Sequence, residues 1–310
     1  MRLLIAEEDH VLYAEQIRSA RPDLQLVASA DATQLRSAAP QCDLWLGQPD
    51  LLAPLLREGL RPQWLQSTWA GITPLLAADL PRDYRLSRAV GIFGQVMAEY
   101  VLGHLLAHER RLFARLAAQV EQRWDNSLPR SLRGRRVLVV GCGDIGQSVA
   151  DFLAPFGVEL RGVASQIREQ APFREVAAME ALPRLVAWAD YVINLLPDTA
   201  ATRDIYDARL FTSFRPQTLL LNAGRGVAVV DADLVAALQQ QQLAGAVIDV
   251  CREEPLPAGH PFWTAPRLML TGHSSAPTDP SLMSELFLDN LARWQAGEAL
   301  RGDVDFARGY

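Results

Sequence analysis

The chain has 310 residues, 49% hydrophobic and 21% charged, enough for about two domains at roughly 150 residues each. A mean hydropathy of +0.02 excludes a disordered chain, and the net charge of −6 argues against a nucleic-acid partner. All 30 basic residues are arginine, which excludes every mechanism that needs a lysine amine, the P-loop and Schiff-base chemistries included.

Along the chain, residues 2–6, 25–28, 43–46 and 64–68 read as strands, with helices at 11–20 and 51–56. A helical pattern then runs from 94 to 123, carrying apolar Val96, Tyr100, Leu102, Leu105, Leu106, Leu112 and Leu116, long enough to span a domain boundary. After a turn-rich link at 129–134, apolar runs of strand length recur at 135–141, 158–164, 190–197, 218–222, 246–250 and 267–272. Helical patterns at 145–153, 182–188 and 231–241 separate them, and a last helix is expected at 281–296. Such alternation predicts an α/β fold with a doubly wound parallel sheet.

The apolar runs are too short to span a membrane, and the opening MRLLIAEEDH turns acidic too early for a signal-peptide core. Cys42, Cys142 and Cys251 are odd in number and lack CxxC spacing, so neither a disulfide framework nor a metal site is expected. These features predict a soluble, cytoplasmic protein.

VLVVGCGDIG places Gly141-x-Gly143-x-x-Gly146, with Asp144 and Ile145, after a strand and at the opening of a helix. Gly141 permits a tight turn, Gly143 a close backbone approach to a pyrophosphate, and Gly146 close packing of helix on strand. The helix N-terminus offers N–H groups to phosphate. About 20 residues on, where an NAD site usually places a carboxylate for the ribose hydroxyls, the chain reads Ala164-Ser165-Gln166-Ile167-Arg168. Ser165 and Arg168 suit a 2′-phosphate, so NADP is favoured over NAD. The bland alternative makes Arg168 a solvated surface charge.

Ligands of open α/β sheets bind beyond the carboxyl ends of the strands. Arg225 in NAGRG, Glu254 in DVCREEP and His273 in LTGHS each follow a predicted strand. Singly, each could be a surface ion pair, a turn residue or a loop histidine. Together they suit a carboxylate clamp and a proton donor tuned by an anion. His10, His104, His108 and His260 lack such a setting.

Several of these segments coincide with one known family. VVGCGDIG, NLLPDTAAT, LLLNAGRGVAVVDADLVAAL, GAVIDVCREEPLP and LTGHSSAPT, in that order, resemble the D-isomer-specific 2-hydroxyacid dehydrogenases over nearly the whole chain. Within that family, DLWLGQPD and the closing FARGY are most similar to the bacterial glyoxylate/hydroxypyruvate reductases. The resemblance implies a Rossmann-type cofactor domain (99–275) and a smaller, discontinuous flavodoxin-like substrate domain (1–98 with 276–310). It implies that Arg225 binds the substrate carboxylate and carbonyl, His273 is the acid/base, and Glu254 tunes it. Of the two adjacent acids, Glu254 is chosen over Glu253 because it precedes Pro255.

It further assigns backbone N–H groups of Ala70, Gly71 and Ile72, with Trp45, to the substrate, and Leu196, Pro197, Thr202, Ala223 and Asp249 to the cofactor. A homodimer through the cofactor domain is expected, with neither nucleic acid nor membrane as partner. Thr73, Gly272 and Cys251 depart from the family's usual residues without removing a catalytic group. The expected reaction is NAD(P)H-dependent reduction of a small 2-keto acid such as glyoxylate or hydroxypyruvate. The alternatives are a reductase of larger 2-keto acids and a nicotinamide-sensing binding protein that kept the fold.

Overall fold

The run RLLIA forms strand β1 (Arg2–Ala6), with four of its five side chains buried. Continuous burial is what a parallel strand covered on both faces requires. In this computed structural model, which describes residues 1–307, there follow α1 (His10–Ala20), β2 (Gln25–Ser29), α2 (Ala32–Ala38), β3 (Leu44–Gly47), α3 (Pro49–Arg57), β4 (Trp64–Ser67) and β5 (Arg85–Ser87). The five strands are all parallel, in the order β2-β1-β3-β4-β5. Helix α2 and strand β5 are additions to the expected elements. The first buries only Leu35 and the second has three residues, too little for a periodic signal.

The chain divides into two compact units, Met1–Ile92 with the chain from Thr278 onward, and Phe93–Pro277. The first boundary lies before residue 98 because Gly94 already begins α4 (Gly94–Glu109). That helix packs on the second unit so tightly that a Cβ on Gly94 would lie 2.3 Å from Ser148 Oγ.

The expected helix from 94 to 123 is in fact two. Arg111, at φ 58°, ends α4 and begins α5 (Leu112–Val120). Apolar residues continue across the break, so periodicity alone does not see it. Glu109, 1% exposed, ion-pairs with Arg130 and Arg135 at 2.9 Å each and accepts the Tyr191 hydroxyl at 2.5 Å. The Arg130 N–H also donates to the Glu109 carbonyl at 2.9 Å. Residues 110–129 thus leave and return at one clasp.

The rest of this unit is β6 (Arg136–Val140), α6 (Asp144–Leu153), β7 (Glu159–Val163), β8 (Val176–Ala177), α7 (Leu182–Trp188), β9 (Tyr191–Asn194), α8 (Ala208–Phe211), β10 (Leu219–Asn222), α9 (Asp231–Gln239), β11 (Gly245–Ile248) and β12 (Leu268–Leu270). The sheet is wholly parallel, in the order β12-β11-β10-β9-β6-β7-β8. Its strand order reverses between β6 and β9, the point at which doubly wound sheets bind ligands. Buried residues form a separate cluster on each face of this sheet. The chain returns to the first unit with α10 (Pro280–Ala296), capped by Asp279, whose side chain accepts from the N–H groups of Ser281 and Leu282. There Trp64 stacks on Phe287 and Trp294. Of the FARGY segment, residues 308–310 lie outside the described residues.

Candidate active site

At the end of β6, Gly141 turns with φ +107°, and a Cβ there would lie 2.9 Å from the Leu195 carbonyl carbon that follows β9. Gly146 packs so closely that a Cβ would meet the Gly141 oxygen at 2.1 Å. Gly143, the N-cap of α6, faces open space within 4 Å and has no capping side chain, while Asp144 and Ile145 form the helix's first turn. Open backbone over a helix N-terminus fits a pyrophosphate. Serine 165 is exposed just beyond β7. Arg168 is exposed, and its guanidinium folds back to donate to the Cys142 carbonyl within the glycine loop at 2.5 Å and to Gln170 Oε1 at 2.5 Å. The sequence reading did not include Gln170, which also donates to the Cys142 carbonyl, at 3.2 Å.

The turn after β10 is built by asparagines. Asn194 donates to Asn222 Oδ1 at 2.8 Å, and Asn222 Nδ2 donates to the Arg225 carbonyl at 3.2 Å. Both are buried, and nothing in their spacing sets them apart from other strand-end residues. Gly226 carries the chain past the Cys251 carbonyl carbon, where a Cβ would come within 2.0 Å. Arg225 stands half-buried on this turn, one of its nitrogens donating to the Gly224 carbonyl at 2.6 Å.

After β12, His273 adopts φ 55° and its N–H donates to the Asp249 carbonyl at 2.6 Å. Its Nδ1 lies 2.7 Å from Glu254 Oε2, and the other Glu254 oxygen accepts the Cys251 N–H at 2.7 Å. The hydrogen bond that His273 donates to Glu254 outweighs burial and raises the His273 pKa, with the Glu254 charge adding to the effect. For Glu254, burial opposes ionisation, but the bonds from His273 and Cys251 prevail and hold its carboxyl below the usual value. With Nδ1–H directed at Glu254, Nε2 is the nitrogen left to exchange a proton.

Asp249, Thr202, Leu196, Ala223 and Trp45, all expected at the cofactor or substrate, are buried. Asp249, 1% exposed, accepts from the Thr271 hydroxyl at 2.6 Å and from the N–H groups of Ser274 and Ser275 at 2.9 and 3.2 Å. It holds the His273 loop, and Tyr100 of α4 extends the chain by bonding Thr271 at 2.9 Å. Thr202 is buried and donates to the Pro197 carbonyl at 2.6 Å, closing its own turn. Leu196 is 7% exposed and packs into the core, while Pro197 beside it is exposed; Ala223, at 8%, is likewise core. Trp45 is wholly buried in the core of the first unit, because both faces of β3 are covered there.

In the first unit, the loop after β4 carries a different feature. The backbone N–H groups of Ala70, Gly71 and Ile72 have no hydrogen-bond acceptor among the described residues. A row of unpaired N–H groups is a cradle for an anion.

A glycine cradle at the switch point of a doubly wound sheet, with a histidine–glutamate pair and an arginine on neighbouring strand ends, defines a nucleotide-dependent oxidoreductase. The sequence profile of the D-isomer specific 2-hydroxyacid dehydrogenase NAD-binding domain matches residues 102–275. A glyoxylate/hydroxypyruvate reductase A of Photorhabdus laumondii is 31% identical over 277 residues, 86% of each chain. A crystal structure of a D-isomer specific 2-hydroxyacid dehydrogenase family protein from Aeromonas salmonicida superposes with a TM-score of 0.93 at 35% identity, over 98% of this chain and 99% of that one. The NADPH-dependent glyoxylate/hydroxypyruvate reductase of Sinorhizobium meliloti, solved with NADP and sulfate, gives a TM-score of 0.85 at 26% identity over 100% and 99%. The chain belongs to the D-isomer specific 2-hydroxyacid dehydrogenase family and is an NAD(P)-dependent enzyme. No helix among the described residues is long and apolar enough to cross a membrane.

Proposed function

We propose that the protein reduces small 2-keto acids, glyoxylate or hydroxypyruvate first, to D-2-hydroxy acids with NADPH. The observation that carries this reading is the 2.7 Å contact of His273 Nδ1 with Glu254. A protein that only senses nicotinamides needs no such proton donor. Gly141, Gly143, Gly146 and the first turn of α6 would hold the cofactor, with Ser165 and Arg168 at its 2′-phosphate. When bound, the reduced cofactor supplies the hydride that the carbonyl carbon receives. Arg225 binds the substrate carboxylate and polarises the carbonyl. His273, protonated at Nε2, gives its proton to the carbonyl oxygen as the C–H bond forms, and Glu254 stabilises the imidazolium. The first unit's own contribution is the row of N–H groups at Ala70, Gly71 and Ile72, which suits a carboxylate. Assay of a panel of 2-keto acids with NADPH and NADH tests the reading: glyoxylate or hydroxypyruvate leads the panel, whereas a bulkier leader supports the larger-substrate alternative.

The cofactor preference gives a separate prediction. A charge-assisted hydrogen bond from Arg168 to a 2′-phosphate contributes roughly 1.5–3 kcal/mol, so kcat/KM favours NADPH by about tenfold to a hundredfold. Arg168→Ala shrinks that preference. Ala164 is buried whereas Ser165 is exposed, so the carboxylate of an NAD site is best introduced as Ser165→Asp, which reverses the preference by repelling the phosphate. A wild type that prefers NADH refutes the assignment of Arg168 while leaving the dehydrogenase assignment intact.

The reading includes a homodimer formed through the cofactor-binding unit. Leu112, Phe113, Leu116, Val120, Trp124 and Leu128 are 53–91% exposed on α5 and the loop after it, a concentration of exposed apolar side chains of the kind that marks association surfaces. A second copy covering it removes that surface from water. Light scattering should give twice the chain mass for wild type and the mass of one chain for a Leu116→Glu, Val120→Glu double variant. A monomeric wild type overturns the dimer.

A further inference from the structure

Glu7, just beyond β1, is 7% exposed and has no basic group within ion-pair distance among the described residues. An uncompensated buried carboxyl is costly, and burial accordingly pushes its pKa up. Among the described residues its only side-chain hydrogen-bond partner is remote in sequence: Oε1 accepts the hydroxyl of Thr68, the first residue after β4. Strand β3 lies between β1 and β4, and at its end Gly47 carries no side chain to obstruct the crossing; a Cβ there would sit 2.3 Å from the Ala6 oxygen.

Every polar group of Thr68 is engaged. Its N–H donates to the Gly47 carbonyl at 3.0 Å, its carbonyl accepts the Thr278 hydroxyl at 3.1 Å, and its own hydroxyl is held by Glu7. Just before it in the chain, the Ser67 hydroxyl accepts the Trp69 N–H at 3.1 Å. The pinned root leads directly into Ala70, Gly71 and Ile72, whose N–H groups have no protein acceptor.

We infer that Glu7 is a positioning residue for substrate binding, fixing Thr68 and through it the row of N–H donors at 70–72. The inference rests on reading that row as the keto-acid carboxylate site. Glu7 touches no reacting atom, so it acts on substrate affinity and leaves the chemical step alone.

The test measures KM and kcat for glyoxylate, with NADPH affinity followed separately by nicotinamide fluorescence. Glu7→Ala and Thr68→Val each raise KM about tenfold, as expected for loss of one hydrogen bond to a charged group, with kcat and NADPH affinity unchanged. Combining them raises KM no further, because both remove one contact. Glu7→Gln restores KM, since its amide oxygen still accepts the Thr68 hydroxyl. If Glu7→Ala fails to fold, Thr68→Val carries the same expectation by itself. An unmoved KM in folded variants, multiplied effects in the double variant, or a Gln variant as impaired as Ala overturns the inference. A wild type that reduces no 2-keto acid removes the functional reading and this inference together, whereas normal wild-type turnover with unmoved variants removes the inference alone.

Discussion

Arg225→Ala is expected to lower kcat/KM for 2-keto acids by about thirty- to several-thousand-fold, the equivalent of roughly 2–5 kcal/mol for truncating one partner of a buried charge pair. The chain contains no lysine that could substitute. Arg225 is held half-buried on a turn that Asn194 and Asn222 brace through their side chains. Its planar fork matches a carboxylate bidentately, which an ammonium cannot do. Arg225→Lys therefore keeps the charge and still loses most of the rate. Fluorescence titration with NADPH separates this effect from general damage, because cofactor affinity should change little. Near-normal kcat/KM in a folded Arg225→Ala protein means that another group binds the substrate.

The placement of Arg225, Glu254 and His273 after strands was legible in the sequence because each follows an apolar run of strand length, and ligands gather at such strand ends. The glycine loop was legible for a similar reason: its spacing states a backbone requirement, met here by φ +107° at Gly141 and by the contact of Gly146 with the Gly141 oxygen. What stayed hidden depends on distance across the sheet. Asp249 holds the His273 loop, and Glu7 holds Thr68, through partners 22 and 61 residues away. No local pattern encodes such pairs. The break between α4 and α5 was missed because one left-handed residue, Arg111, interrupts a helical pattern without changing its composition. Trp45 lies on β3, all four residues of which are buried, and its side chain packs in the core of the first unit.

Replacing His273 with Asn should reduce kcat for keto-acid reduction by about 10²–10⁴-fold, the usual contribution of a positioned general acid, with NADPH affinity retained. The finer prediction concerns pH. Reduction consumes a proton, so the active form of the enzyme carries the imidazolium. Hydrogen bonding to Glu254 raises the His273 pKa above its ordinary value of 6.5. Activity in reduction therefore persists above pH 6.5 and falls as pH rises through the raised pKa. Oxidation of the hydroxy acid needs the neutral imidazole and rises over the same range. In Glu254→Gln the amide oxygen can still accept from Nδ1–H, so the ring keeps its orientation while the anion is lost. The imidazolium is then less stable, and the alkaline limb of kcat/KM for reduction moves to lower pH, with the rising limb for oxidation moving in parallel. A purely structural role for Glu254 would lower both rates and leave both limbs in place. Limbs that do not move in a folded Glu254→Gln enzyme would break the coupling between the two residues, whatever happened to the rates.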